Sequence, residues 1–143
     1  MKKILITLTY VIFTYAIKAQ CTTTFLDLQA IQNKAVAQKE NALIAFGYVF
    51  IRENTLLGSQ YRHYARCKDA NGHFTEVITW TVLSNMLTYS SSVKSNVATI
   101  ENMVKHLNCH TAKQGDQDVY ICPTRTFKFV ARTDGWWAVA IKN

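Results

Sequence analysis

The sequence contains one proline, Pro123, and five glycines among 143 residues, and these residues form no linker-like cluster. Because domain boundaries usually fall in segments rich in proline, glycine and polar residues, we expect no boundary within the globular part. The chain also lacks a CxxC pair, a zinc-type spacing of cysteine and histidine, and a GxSxG motif. It therefore offers no motif for a metal site or a serine hydrolase, and no metal or other cofactor is predicted.

An uncharged apolar run occupies residues 4–17, between two lysines and a segment that ends in Ala19 and Gln20. A positive start, a short apolar stretch and a small residue near the end are typical of a secretory signal peptide. We predict such a peptide over residues 1–20, with cleavage after Ala19 or Gln20. The alternatives are a buried N-terminal helix or a membrane anchor, although the run is shorter than the roughly 20 residues that span a bilayer.

Cys21, directly after the predicted signal peptide, raises the alternative of a lipoprotein anchored at this residue. Lipidation requires a small residue before the cysteine and an aliphatic residue three positions before it. Gln20 and Lys18 hold those two positions. The sequence therefore favours cleavage without lipidation, and a secreted or periplasmic protein with no stable membrane span.

The charge balance changes once the predicted signal peptide is removed. Three of the sixteen cations lie in residues 1–20, which leaves thirteen cations against nine acids, or a net charge of +4 rather than +7. Residues 21–143 are long enough for one domain with a real core. A weakly basic domain without a recognisable nucleic-acid-binding module is not expected to bind nucleic acid.

Four cysteines in an exported chain predict two disulfides, for which three pairings are possible. The dipeptide at 115–116, Gly-Asp, is a good two-residue hairpin turn. If the two glutamines beside it pair, Cys109 lies opposite Cys122 at a non-hydrogen-bonded position, where the Cα atoms are about 4.5 Å apart. We therefore predict Cys109–Cys122, and with it Cys21–Cys67 as a tie between the N-terminus and the sheet.

Hydrophobic periodicity predicts two helices, at 24–43 and 93–107, and the second carries a clean one-sided apolar stripe. Strands are expected between and after them. The predicted strands are 47–53, 60–68, 73–83, 109–114, 117–122, 126–132 and 136–142.

The segments 61–66 (YRHYAR) and 127–132 (FKFVAR) resemble each other, and each is followed by an aspartate, a glycine and an aromatic-led strand. This echo predicts a tandem helix-plus-meander pseudo-repeat. The fold class would be α+β: a two-layer sandwich with two helices on one face of an antiparallel sheet of six to seven strands. In architecture it resembles secreted inhibitory proteins built from tandem helix-plus-sheet repeats, such as the β-lactamase-inhibitory fold.

Side-chain alternation, applied with the same echo, assigns cations and an aromatic residue to the open face of the sheet. Such a surface can bind an acidic protein patch or an anionic envelope component, although long charged side chains also serve only to solvate an open face. The predicted function is a non-enzymatic secreted binding or inhibitor module. The predicted binding residues are Arg62, Tyr64, Arg66, Lys128, Arg132 and Trp136, with Lys142 as a further cation.

His63 and Glu76 are the candidates for catalysis, because alternation places both on the apolar face as near-diagonal neighbours. A buried histidine and glutamate can act as a general acid–base couple, but they can equally be a satisfied polar pair of the core. No nucleophile is predicted beside them. A small envelope hydrolase is therefore the second hypothesis, and a purely structural envelope domain is the third.

Overall fold

The computed structural model describes residues 21–115 and 117–143, so the predicted signal peptide and residue 116 lie outside the described residues. Three helices and eight strands make up the described part. The helices are α1 (Phe25–Gln32), α2 (Val36–Ala45) and α3 (Lys94–Lys105). The strands are β1 (Val49–Leu56), β2 (Ser59–Lys68), β3 (Phe74–Thr81), β4 (Met86–Ser91), β5 (His110–Gln114), β6 (Gln117–Ile121), β7 (Thr126–Ala131) and β8 (Trp137–Lys142).

The helix predicted over 24–43 is in fact two helices, α1 and α2. A capping box begins α1: Asp27 N donates to Thr24 Oγ1 at 3.2 Å, and Thr24 N donates to Asp27 Oδ2 at 2.8 Å. At the other end, Lys39 Nζ donates to the carbonyl oxygen of Gln32 at 3.0 Å. This bond satisfies one of the backbone carbonyls that a helix end leaves unpaired, and it ties α2 to the end of α1.

All eight strands form one antiparallel sheet in the order β1-β2-β3-β4-β8-β7-β6-β5. The sheet consists of two four-strand meanders, β1–β4 and β5–β8. Their last strands, β4 and β8, pair with each other at the centre of the sheet. The fold is thus α+β, with helices packed on an antiparallel sheet, but the predicted count of six to seven strands is wrong. The missed strand is β4, and its Ser90 and Ser91 are buried in the sheet.

The faces of β2 are the reverse of those predicted. A row of paired residues crosses the sheet at Tyr64, Ile78, Tyr89, Val139 and Phe129, and all five are buried beneath the helices. The similarity between 61–66 and 127–132 aligns Tyr64 with Val130, whereas the sheet places Tyr64 in the same row as Phe129. The predicted alignment is therefore shifted by one residue. Because side chains alternate with a period of two, a slip of one residue moves every side chain of β2 to the other face.

The echo also joins strands that do not correspond in the two meanders. Segment 61–66 lies in β2, the second strand of its meander, whereas 127–132 begins in β7, the third strand of its own. The pseudo-repeat is therefore present as two meanders of equal strand number, but not in the alignment that the sequence predicted.

Both predicted disulfides are confirmed. Cys109 pairs with Cys122 and Cys21 with Cys67, with Cα atoms 4.1 and 5.5 Å apart. Gln114 and Gln117 pair as predicted, and the register continues to His110 and Ile121, beside the Cys109–Cys122 bridge. The two bridges fit an extracellular or periplasmic protein, since disulfides persist in oxidising compartments.

Candidate functional site

The three helices lie on one face of the sheet, and the other face is referred to below as the open face. Small side chains occupy its centre. Because these side chains are short, a partner could approach the strands closely. Of the central residues of the open face, four are partly exposed, namely Val77, Thr79, Thr88 and Ala140, and three are buried, namely Ala65, Ser90 and Ala138.

The charged side chains at strand positions of the open face are cations. Arg52 pairs across the sheet with His63, while Lys128 pairs with Ala140, which lies two residues before Lys142. Lys128 and Lys142 are thus diagonal neighbours on β7 and β8. At the described strand positions of this face there is no aspartate or glutamate.

On the helix-covered face, in contrast, three strand cations pair with carboxylates. Arg62 Nη1 lies 3.0 Å from Glu40 Oε2, and Arg62 Nε lies 2.8 Å from Glu53 Oε2. Lys113 Nζ lies 2.7 Å from Asp118 Oδ1. Partly exposed pairs of this kind contribute little to stability. They nevertheless neutralise these cations, which are then less available to bind an acidic partner.

Arg66, predicted to bind a partner, instead forms a buried ion pair with Glu76. Its Nε and Nη2 atoms each donate to Glu76 Oε2 at 3.2 Å, and Nη1 donates to the carbonyl oxygen of Phe46 at 2.8 Å. The guanidinium also lies 4.9 Å from the centre of the Tyr48 ring. Arg66 therefore lies on the helix side of the sheet, with 13% of its side chain exposed.

Glu76, predicted as a catalytic acid or base, is fully buried and saturated with donors. Its Oε1 accepts from Thr23 N at 3.1 Å, from Tyr89 Oη at 2.7 Å and from Asn96 Nδ2 at 3.2 Å. Its Oε2 accepts from Thr23 Oγ1 at 2.7 Å in addition to the guanidinium. Burial, followed by the charge of Glu76, raises the pKa values of Tyr48 and Tyr89. The raised pKa values keep both phenols protonated, so that they can donate hydrogen bonds within the cluster.

His63 lies on the open face, so the predicted His63–Glu76 couple is wrong. In the β2–β3 register His63 faces Thr79, whereas Glu76 faces Arg66 on the opposite side of the sheet. The His63 ring is held by Asn54 Oδ1, 2.6 Å from Nε2, and by Thr79 Oγ1, 3.0 Å from Nδ1. Burial, and then the charge of Arg52, lower the pKa of His63.

The structure places the predicted binding residues in three different locations. Arg62, Tyr64 and Arg66 are under the helices, and Tyr64 is fully buried, so the prediction that these three lie on the open face is wrong. Lys128 lies on the open face as predicted. At one end of the sheet Arg132 pairs with Asp134 at 2.7 Å, and Trp136 follows with its side chain half-buried.

Sequence reasoning missed Arg52. A β-bulge shifts the register of β1 between Phe50 and Arg52, so that simple alternation does not hold across it. No local feature of the sequence marks this bulge.

Two depressions in the described surface lie on the helix side. The first, about 490 Å³, is lined by Cys21, Phe46, Gly47 and Arg66 among others. The second, about 270 Å³, runs between residues 22–26 and the first turns of α3 and is largely apolar. Neither of them is lined by His63, so neither supports the hydrolase hypothesis.

Comparison with protein-family models, with curated proteins and with solved structures found no match. Within residues 21–115 and 117–143, no helix is long and apolar enough to cross a membrane. The same residues contain no group of three or more histidine, cysteine, aspartate or glutamate side chains that could hold a metal ion.

Proposed function

We propose that this protein is a non-enzymatic binding or inhibitor module that presents the open face of its sheet to an acidic protein surface. The observation that carries the proposal is the segregation of charge between the two faces. On the helix-covered face Arg62, Arg66 and Lys113 each pair with a carboxylate, while the charged residues at the described strand positions of the open face are all cations. Interfaces gain specificity from complementary charge of this kind.

The shape of the open face supports the same proposal. Its centre carries alanine, serine and threonine, while cations lie on both sides: Arg52 on the outer strand β1, and Lys128 and Lys142 on β7 and β8. Arg52 and Lys128 belong to one cross-strand row with five strand spacings between them, which is about 24 Å. A cationic rim around a small, uncharged centre suits a broad protein surface better than a single small anion.

Reversing the charge of the diagonal pair tests this proposal. We expect the double variant Lys128→Glu/Lys142→Glu to bind a poly-glutamate peptide about tenfold more weakly than the wild type, because like charges then face the acidic probe. Isothermal titration calorimetry at low and moderate salt would measure the effect. In the wild type, amide chemical-shift changes should concentrate on β4, β7 and β8.

The matched control is Lys94→Glu, which removes an exposed lysine from the start of α3, on the helix side of the sheet. It should bind the peptide nearly as well as the wild type. The proposal fails if the double variant keeps wild-type affinity while its melting temperature is unchanged, or if the control loses as much affinity as the double variant.

A further inference from the structure

Two turns of the sheet expose leucines to an unusual degree. Leu57, between β1 and β2, is 96% exposed, and Leu83, between β3 and β4, is 80% exposed; these are the two largest values among the exposed large hydrophobic residues. Leu56 beside Leu57 is also exposed. Leu56, Leu57 and Leu83 are referred to below as the leucine tip.

Turn chemistry does not account for Leu57. Its backbone adopts φ 49°, in the left-handed region that favours glycine and asparagine and is costly for a leucine. The neighbouring turn has Asn85 at the same φ of 49°, which is the residue type expected there. Leu57 therefore combines an unfavourable backbone conformation with an apolar side chain in water. A role outside folding explains this combination better than turn formation does.

The two turns lie side by side. Val82 N donates to the carbonyl oxygen of Gln60 at 3.0 Å, which joins the start of β2 to the end of β3. The leucines consequently project from one end of the sheet as a protrusion rather than lining a groove. Apolar side chains presented in this way can insert into a soft apolar phase without a preformed pocket.

Cations surround this end of the molecule. Gln32 Nε2 donates to the carbonyl oxygen of Asn85 at 2.8 Å, which brings the α1–α2 turn with Lys34 to the same end. Arg125, in the β6–β7 loop, donates to Asn33 of that turn. Lys142 ends β8 at this end as well.

Acidic residues, in contrast, are found in turns at the other end of the sheet. The described turns at the leucine end, at 33–35, 57–58, 82–85, 106–109 and 122–125, contain no aspartate or glutamate. Asp69 and Asp134 lie in turns at the other end of the sheet. The apolar tip and an excess of positive charge therefore coincide.

We propose that the leucine tip docks on the surface of an anionic lipid bilayer. The leucines enter the boundary between headgroups and acyl chains, and Lys34, Arg125 and Lys142 approach the headgroup phosphates. Apolar insertion combined with basic side chains is the pattern by which proteins bind such surfaces reversibly. A pocket in a partner protein could also accept the leucines. It would not explain why the described turns at this end lack acidic residues, which an anionic membrane surface would repel.

The test uses vesicles of phosphatidylglycerol and, separately, of phosphatidylcholine, with binding measured by co-sedimentation. The key variant is Leu57→Asn/Leu83→Ser, because asparagine suits the left-handed backbone at residue 57 and so should not impair folding. We expect it to bind phosphatidylglycerol vesicles about tenfold more weakly than the wild type. Lys34→Gln should lose about fivefold, and the wild type should bind phosphatidylcholine weakly.

The matched control is Leu26→Ser, which removes an exposed leucine from the start of α1, at the opposite end of the molecule. It should bind like the wild type. All variants are made from the same full chain, so the apolar run at residues 4–17 contributes equally to each. The proposal is overturned if the wild type does not bind phosphatidylglycerol vesicles, if the double variant binds as well as the wild type, or if Leu26→Ser is equally impaired.

Discussion

Replacing Arg66 with methionine should lower the free energy of unfolding by about 3–5 kcal/mol, because it leaves the buried Glu76 carboxylate without its cation. Glu76 is fully buried, and both of its bonds to the guanidinium are lost in the variant. Methionine retains much of the aliphatic bulk, so packing accounts for only part of the effect. Urea denaturation followed by circular dichroism would measure it.

A double-mutant cycle separates the ion pair from the rest of the cluster. Glu76→Gln should also be destabilising, but Arg66→Met/Glu76→Gln should cost about 1–3 kcal/mol less than the two single changes added together. Arg52→Met serves as the control, because Arg52 is exposed on β1, and it should change the stability by less than about 0.5 kcal/mol. A loss below 1 kcal/mol for Arg66→Met would contradict the role that we assign to the buried pair.

Replacing Lys39 with methionine should stabilise the protein at neutral pH, by about 2 kcal/mol. Lys39 is fully buried, and among the described residues its Nζ has only the backbone and side-chain oxygens of Gln32 as hydrogen-bond partners, at 3.0 and 3.4 Å. Burial, and then the charge of Arg125, lower the pKa of Lys39 from 10.5 to about 8. At pH 7 folding therefore buries the charged ammonium group in surroundings that disfavour its charged form. Methionine removes this free-energy cost and fills a similar volume.

The same shift in pKa predicts how the wild-type stability depends on pH. Below about pH 8 the Lys39 ammonium is protonated in both states, and the cost of burying it is greatest. Between about 8 and 10.5 the unfolded chain keeps a proton that the folded protein has released, so the free energy of unfolding rises with pH. The difference between Lys39→Met and the wild type should shrink over this interval.

Chemical denaturation at several pH values between 7 and 10 would follow this difference. Lys94→Met, at an exposed position of α3, is the control and should run parallel to the wild type at every pH. If Lys39→Met is less stable than the wild type at pH 7, or if its curve also runs parallel, then Lys39 is not a buried charge of the folded state.

Some parts of the fold could be predicted from the sequence because their signals are local. The Cys109–Cys122 bridge follows from one two-residue turn, since the register of a hairpin is fixed by its turn. The helix α3 follows from an apolar stripe with helical spacing, whose Val97, Ile100 and Val104 are all buried. Lys128 and Lys142 were placed on the open face by alternation along β7 and β8, which have clearly apolar partners on the other face.

The two faces of β2 could not be told apart in the same way. One face offers Tyr61, His63 and Ala65, and the other Arg62 and Tyr64, so neither face is clearly apolar. Burial was decided by residues distant in the chain. On the helix side, Arg66 donates hydrogen bonds to Glu76 and Thr23. Arg62 donates to Glu40 of α2.

The sequence by itself determined the α+β class, the two disulfides, the amphipathic helix α3 and the faces of β7 and β8. Most of these properties depend on turns and periodicities within a few residues of each other. The Cys21–Cys67 bridge, whose cysteines are 46 residues apart, followed by elimination once Cys109–Cys122 was assigned. The tertiary structure alone decided that β4 is a strand and that Arg66 lies on the helix side of the sheet. It also decided that His63 and Glu76 lie on opposite faces, and that the turns carrying Leu57 and Leu83 are neighbours at one end of the sheet. Each of these depends on pairings between distant strands, whose register no single segment encodes.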